Sequence, residues 1–251
     1  MEYTQINADT IDGWVREGWE WGKPVSHEVC MRARMGEWSL LLTPTKPVPR
    51  AWYGELVGRR VLGLASGGGQ QMPILSIAGA KCTLMDYSPE QLARDKAVAE
   101  REGLDIEIIR ADMTKPFPFA DNTFDLIFHP VSNCYIENVE HVWRECHRVL
   151  RPGGRLLAGL DNGLNFAYDE QGTEMCHVLP YNPLKDAALY EEGIRTDSGI
   201  QFSHTIDEQI AGQLHAGLTL LDVYGDYNNG GKLAQYHVET FWATLAQKPF
   251  V

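Results

Sequence analysis

No stretch of this sequence approaches the roughly 18 consecutive apolar residues that a membrane-spanning helix needs. No secretory leader is expected either: Met1-Glu2-Tyr3-Thr4-Gln5 is polar and acidic, where a signal peptide is basic and then apolar. The expectation is a cytoplasmic protein with no membrane partner. Cysteine is also sparse. The five cysteines, Cys30, Cys82, Cys134, Cys146 and Cys176, are odd in number, scattered, and form no CxxC pair, so they build no disulfide framework. Cys146-His147 and Cys176-His177 are adjacent pairs whose side chains point different ways in a helix or a strand, and no metal site is expected of them. Basic charge is in deficit, with 22 lysines and arginines against 34 acids and a net charge of −12. Such a field repels a phosphate backbone unless a local basic stripe offsets it. The nearest approach to one, Arg32, Arg34, Lys46, Arg50, Arg59 and Arg60, is diffuse, so nucleic acid is not an expected partner. Internal repeats and low-complexity tracts are absent too.

What is present reads as an ordinary globular chain, 44% hydrophobic and 22% charged. Trp14, Trp19, Trp21 and Trp38 all precede any clear strand. Thr43-Pro44-Thr45-Lys46-Pro47-Val48-Pro49 then breaks the chain, since each proline disfavours helix at the residue before it. Residues 1–50 are therefore read as short helices and an extended crossing outside the main sheet, and residues 51–251 as the principal domain. From residue 60 strands and helices alternate, the pattern of a parallel sheet covered on both faces. Strands are expected at 60–64, 81–86, 106–110, 124–128, 155–160, 218–224 and 240–245. Helices are expected at about 70–78, 88–102 and 207–216. A further amphipathic helix carries Ile136, Val139, Val142, Cys146 and Val149 and ends at Arg151-Pro152-Gly153-Gly154. Ser88-Pro89-Glu90-Gln91 is a capping box with proline at the first helical position. The fold class is α/β, a doubly wound and mostly parallel seven-stranded sheet. It carries an N-terminal helical segment and an inserted lid at about 161–204.

The first strand empties into Gly63-Leu64-Ala65-Ser66-Gly67-Gly68-Gly69 and a helix follows at once. Glycines let the backbone approach a ligand, and the helix amino terminus offers free N–H groups. Asp86 ends the second strand about 20 residues on, where a carboxylate can accept both hydroxyls of a ribose. Asp112 follows the third strand and can accept from an adenine amino group. Two acids at successive strand ends suit an adenosine lying across the switch point. A dinucleotide oxidoreductase fits less well. G-x-G-x-x-G counted from Gly67 meets Met72 at its third glycine, and counted from Gly63 meets Ala65 at its second.

Val61 to Gly69, Leu84-Met85-Asp86-Tyr87-Ser88, Ala111-Asp112-Met113, Phe117-Pro118-Phe119 through Thr123-Phe124-Asp125, and Arg148 to Gly154 resemble the motifs of class I S-adenosylmethionine methyltransferases. The resemblance is nearest to the ubiquinone/menaquinone C-methylase-like branch and covers roughly residues 57–160. It implies the Rossmann-like methyltransferase fold and S-adenosyl-L-methionine as cofactor. The residues it assigns to the cofactor are Ala65, Ser66, Gly67, Gly69, Gln70, Asp86, Tyr87, Ser88, Gln91, Ala111, Asp112, Met113 and His129. Two positions depart from the pattern. The family usually has an acid where this chain has Gly63, and a glycine where it has Ala65. The acid's role in holding the methionine end must fall to another group, with Gln70, Gln71, Ser66 and the N-terminal segment as candidates.

The expected activity is methyl transfer to a small molecule. The alternatives kept open are an RNA or protein acceptor and a non-catalytic S-adenosylmethionine-binding protein. Ligands in such sheets bind outside the carboxyl ends of the strands. Trp19, Trp21, Asn133 and Tyr135 are the expected lid residues over the acceptor. Residues 1–50 and 161–204 are expected to close when ligands bind. His129, at a strand end, is the candidate base for an acceptor that must lose a proton, with His177, His204 and His237 as substitutes. Oligomeric state and the atom methylated are left open.

Overall fold

The computed structural model describes residues 2–169 and 172–250. Met1 and Val251, and Glu170 and Gln171 within the expected insertion, lie outside the described residues. Seven strands, β1 (Arg60–Leu64), β2 (Lys81–Asp86), β3 (Ile106–Arg110), β4 (Phe124–His129), β5 (Leu150–Asp161), β6 (Thr219–Asp226) and β7 (Phe241–Gln247), form one sheet ordered β3-β2-β1-β4-β5-β7-β6. The first five are parallel, and β7 runs antiparallel between β5 and β6. The chain leaves β1 toward β2 and β3, then crosses back to β4 and β5. The switch point therefore falls between β1 and β4, where a crevice opens at the carboxyl edge.

Six helices carry most of the covering layers: α1 (Tyr3–Glu17), α2 (His27–Arg34), α3 (Arg50–Tyr53), α4 (Gln71–Ile77), α5 (Pro89–Glu102) and α6 (Val139–Val149). Side chains alternate between the faces of a strand, and both faces here are apolar, as a parallel sheet buried on two sides requires. Leu62, Leu64, Met85, Ile127 and Leu156 face α6, whose Val139, Val142, Trp143, Cys146 and Val149 are all buried. Val61, Leu84, Leu126, Phe128 and Leu157 face the opposite layer, with Trp52 and Tyr53 of α3, Met72, Ile74 and Leu75 of α4 and Leu92 of α5.

The expected strands all form, and one strand and two helices differ from the expected extent. β5 begins at Leu150, through the Arg-Pro-Gly-Gly run expected to break the chain, because Leu150 pairs with Phe124 across a register shift. α6 begins only at Val139, where the Asn138 side chain accepts from the His141 N–H; Ile136 lies ahead of the cap. The helix expected at 207–216 opens as a π turn, Asp207–Ala211, before an α turn at Gly212–His215. At the amino end, α1 is longer than the short helices expected, 15 residues in all. It lies along α5, and its Asp12 accepts from Ser88 Oγ and from the Glu90 N–H at 3.1 Å. An anionic side chain there stabilises the amino end of α5 beyond its own Ser88 cap.

α2 is held to α5 by one carboxylate. Glu102 lies 3.0 Å from His27, 3.0 Å from Arg34 and 2.8 Å from Arg101. The Arg101 guanidinium first, then His27 and Arg34, bring its pKa down to about 2 from an ordinary 4.5. A carboxyl whose folded value is depressed favours the folded state above its unfolded value. That contribution falls away as pH drops from 4.5 toward 2. The difference in melting temperature between the native chain and Glu102→Gln is therefore expected to be largest at neutral pH and to shrink across that window. A constant difference would remove the ion cluster as its cause.

Candidate cofactor and acceptor site

β1 ends at the switch point, and the turn after it is shaped by backbone geometry. Ala65, where a glycine is usual, takes a left-handed φ of +46° and donates its N–H to the Met85 carbonyl at 2.8 Å. Gly68 has φ +109°, and a Cβ there would collide with the Trp21 carbonyl, so the N-terminal segment lies directly on the turn. Two carboxylates fix the rest. Asp86 Oδ2 accepts from the Gly67 N–H at 2.9 Å and Oδ1 from the Ser88 N–H at 3.0 Å. Burial raises the pKa of Asp86, while the N–H groups of Ser88, Gly67 and Tyr87 pull it back. Asp95, fully buried on α5, accepts from the Gly69 N–H at 2.7 Å, and burial pushes it up to about 8.

Two cavities meet at this turn. The smaller, about 70 Å³, is walled by Ala65, Met85, Asp86, Tyr87, Ser88, Ala111, Asp112 and Met113 from the sheet edge. Thr4, Asn7, Ala8 and Ile11 of α1 cover it. Asp112 Oδ1 accepts from the Thr114 N–H at 2.8 Å, a local turn that fixes the carboxylate at the rim. The larger cavity, about 390 Å³, begins at Ala65, Ser66, Gly67, Gln70, Gln71, Asp86 and Gln91. It runs past Val131, Cys134 and Tyr135 to Asp161, Phe166 and Phe241, under a roof of Trp19, Trp21 and residues 41–44. The roof loop is pinned by Asp226, which accepts from the N–H groups of Thr45 and Lys46 at 2.9 Å each.

The polar atoms of these walls fit S-adenosylmethionine. Ser66, Gln71 and Gln91 line the larger cavity, and Thr4 the smaller. Their side-chain atoms Ser66 Oγ, Gln71 Oε1, Gln91 Oε1 and Thr4 Oγ1 are buried without a hydrogen-bond partner among the described residues. Leaving such a group unpaired costs about 1–3 kcal/mol, so their convergence on one cleft marks a place for a polar ligand. The missing acid also has a physical reason. A Cβ on Gly63 would stand 2.6 Å from Met72 Sδ and 2.6 Å from Ser66 Oγ, so Met72 fills the space such a side chain would need. Gly63→Asp is expected to destabilise the fold by about 1–3 kcal/mol through overpacking, without raising cofactor affinity. Adding Met72→Ala should recover part of the loss, as read by thermal melting and calorimetry. A stable Gly63→Asp chain with tighter binding would refute the role given to Met72.

Of the residues singled out from sequence, Trp19, Trp21, Ala65, Ser66, Gly67, Gln70, Asp86, Gln91 and Tyr135 line the larger cavity. Tyr87, Ser88, Ala111, Asp112 and Met113 line the smaller, which Ala65, Asp86 and Tyr135 share. Gln70 spends its amide N–H groups on the carbonyls of Glu20 and Lys23, which leaves Ser66 and Gln71 with unspent polar atoms. Gly69, Asn133 and His129 line neither cavity. Gly69 turns its N–H to Asp95. His129 is fully buried, with Nδ1 3.0 Å from the Leu64 carbonyl and Nε2 2.9 Å from Asn133 Oδ1. It shares the Ile127 face of β4, with its ring against Trp143 of α6, and burial lowers its basicity. His177, His204 and His237 also lie outside the larger cavity; His204 is buried between the carbonyls of Asn133 and Ile136. Sequence reasoning missed Ile11, Asp95 and Asp161, and within the expected 1–50 cover it did not single out residues 41–44.

Among the described residues no cluster of three metal-ligating side chains occurs, and no helix is long and apolar enough to cross a membrane. A family model described as a methyltransferase domain matches residues 62–158. An uncharacterized methyltransferase of Bacillus subtilis, YbaJ, is 37% identical over 249 residues, covering 96% of this chain and 97% of that one. A sterol 24-C-methyltransferase of Gibberella zeae is 34% identical over 100 residues, 39% of this chain and 26% of its own length. Among solved structures, an S-adenosylmethionine-dependent methyltransferase from Mesorhizobium loti shares the fold with a TM-score of 0.63 at 20% identity. That match covers 79% of this chain and 94% of the other.

Proposed function

This chain belongs to the class I S-adenosylmethionine-dependent methyltransferases, and we propose that it methylates a small molecule held in the larger cavity. The observation that carries this reading is the cavity's shape and lining. It is a roofed pocket of about 390 Å³, walled largely by Trp19, Trp21, Leu41, Val131, Phe166 and Phe241, with a few polar groups. Small-molecule sites have this character: apolar walls, a few polar groups that orient, and a volume of roughly 300–1,000 Å³. Part of that volume takes the methionine end of the cofactor, so the acceptor is compact. An RNA or protein acceptor calls for an open or basic approach, and the chain carries a net charge of −12. The sterol methyltransferase, similar over 100 residues, is named for a small acceptor. Five free cysteines, four of them buried, suit a reducing cytoplasm.

In this reading Asp86 takes the ribose hydroxyls and Asp112 with Met113 takes adenine. Ser66, Gln71 and Gln91 take the amino-carboxylate in place of the family's acid. When bound, S-adenosylmethionine supplies a methyl group activated as a sulfonium. The walls align the acceptor and exclude water. Incubating the protein with methyl-labelled S-adenosylmethionine and separate metabolite, RNA and protein fractions tests the proposal. Label in the metabolite fraction is expected. Label confined to RNA or protein would overturn the small-molecule assignment, and cofactor binding with no transfer would point to a sensor.

A further inference from the structure

We infer that Asp161 removes a proton from the methyl acceptor, which therefore carries an N–H or O–H at the reacting atom. This rests on the small-molecule reading above. Asp161 is the last residue of β5, which lies two strands from β1 in the sheet. At about 4.8 Å between neighbouring strands, that places it roughly 10 Å from the glycine turn along the same edge. It lines the larger cavity together with Cys134, Tyr135, Phe166 and Phe241.

The carboxylate is oriented. Oδ1 accepts from the Gly163 N–H at 2.6 Å and Oδ2 from Asn165 Nδ2 at 2.7 Å. Asn165 Oδ1 accepts in turn from Asn228 Nδ2 at 2.8 Å, which fixes the amide with its donor toward Asp161. Each carboxylate oxygen keeps a second lone pair for the cavity. Gly163 and Asn165 each take one oxygen, which orients the group without balancing its charge. The carboxylate stands 7% exposed, and no lysine, arginine or histidine among the described residues pairs with it. A buried acid without a counter-charge costs stability, and its position in a cleft is that of a base rather than a strut. Burial first, partly offset by Asn165 and Gly163, raises its pKa to about 6, where a carboxylate still forms at neutral pH and is a stronger base than usual. The titratable group facing it is Cys134, whose thiol burial and then the Asp161 charge push far above the physiological range. β7 presents the uncharged Phe241.

The step balances. The acceptor atom forms a bond to the methyl carbon as the carbon–sulfur bond breaks, and that electron pair stays on sulfur as a thioether. The acceptor's proton passes to an Asp161 oxygen, and the electron pair of the broken N–H or O–H bond remains on the acceptor. The proton leaves Asp161 for water when the product departs.

Asp161→Asn in the full chain tests this, because it preserves size and an acceptor for Gly163. Transfer of label into the reactive fraction should fall roughly 10²- to 10⁴-fold, the usual worth of a general base. Calorimetric affinity for S-adenosylmethionine should stay near native, while the melting temperature falls modestly because the variant turns an amide N–H group toward the Asn165 donor. The native rate should rise as pH increases through about 6, and that limb should be missing from the variant. Difference infrared spectra of native protein minus variant should show an acid carbonyl band lost over the same interval. A variant with native rate and native acid limb would leave Asp161 as a turn residue and overturn the inference. So would a wild-type difference band that shows no titration near pH 6. Should RNA or protein be the labelled fraction, the small-molecule reading falls, while the same rate comparison on that fraction still decides Asp161.

Discussion

Replacing Asp86 with alanine is expected to weaken S-adenosylmethionine binding by roughly 10²- to 10⁴-fold, the largest loss from any single change at the cofactor cleft. Two charge-assisted bonds to ribose hydroxyls at about 1.5–3 kcal/mol each give that range. The structure adds a second source of loss. The same carboxylate restrains Gly67 at 2.9 Å and Ser88 at 3.0 Å, so alanine also frees the turn and the cap of α5. The two contributions separate in Asp86→Asn, which keeps acceptor capacity for one contact while losing the charge. Calorimetry should place Asp86→Asn between the native protein and the alanine variant. Asp112→Ala should lose less, because the Met113 backbone remains beside the ring and Asp112 also serves the Thr114 turn. Unchanged affinity in Asp86→Ala would remove the ribose assignment altogether.

These two acids were legible in the sequence because their positions follow from local rules. A strand of known length delivers its last residue to the carboxyl edge, and Ser88-Pro89-Glu90-Gln91 fixes where the following helix starts. The same rule would have found Asp161, one residue beyond the strand expected at 155–160, had the charge been weighed as those of Asp86 and Asp112 were. His129 shows where the rule stops. It also ends a strand, but the alternation that turns Ile127 toward α6 turns His129 the same way, into the core instead of the cleft. Asp95 left no signal: one aspartate in a helix with a polar face looks solvated until the glycine turn is folded against it. Which further residues of the expected 1–50 cover form the roof was illegible for a different reason. Residues 41–44 reach the cavity because Asp226 holds the neighbouring Thr45 and Lys46, a contact spanning 181 residues at Thr45 that no local pattern encodes.

Asn7→Ala should unfasten the cover of the cofactor cleft while leaving the sheet intact. Asn7 is 3% exposed and its amide is fully spent. Nδ2 donates to the Tyr135 carbonyl at 2.9 Å and the Ile200 carbonyl at 2.8 Å, and Oδ1 accepts from the Ile200 N–H at 2.6 Å. One side chain thus joins α1, the 3₁₀ turn at Asn133–Tyr135 and the far end of the insertion. Nearby, Trp14 donates to the Asp197 carbonyl at 3.1 Å and Thr10 to its carboxylate at 3.2 Å, so α1 and the insertion are stitched along one seam. Alanine leaves three buried backbone groups unpaired at about 1–3 kcal/mol each before relaxation, enough to make opening of the seam far more frequent. Hydrogen exchange should therefore quicken in residues 3–17 and 196–204 together, with β1 to β5 unchanged. Because Thr4, Ala8 and Ile11 wall the smaller cavity, cofactor affinity should fall in step. In the native protein the cofactor product should slow exchange in both segments at once, since Ile11 and Gln201 both line the larger cavity and the two segments are joined as one cap. Faster exchange in α1 with an unaltered 196–204 would mean that the two segments move separately, and closure over the acceptor would then depend on the insertion alone.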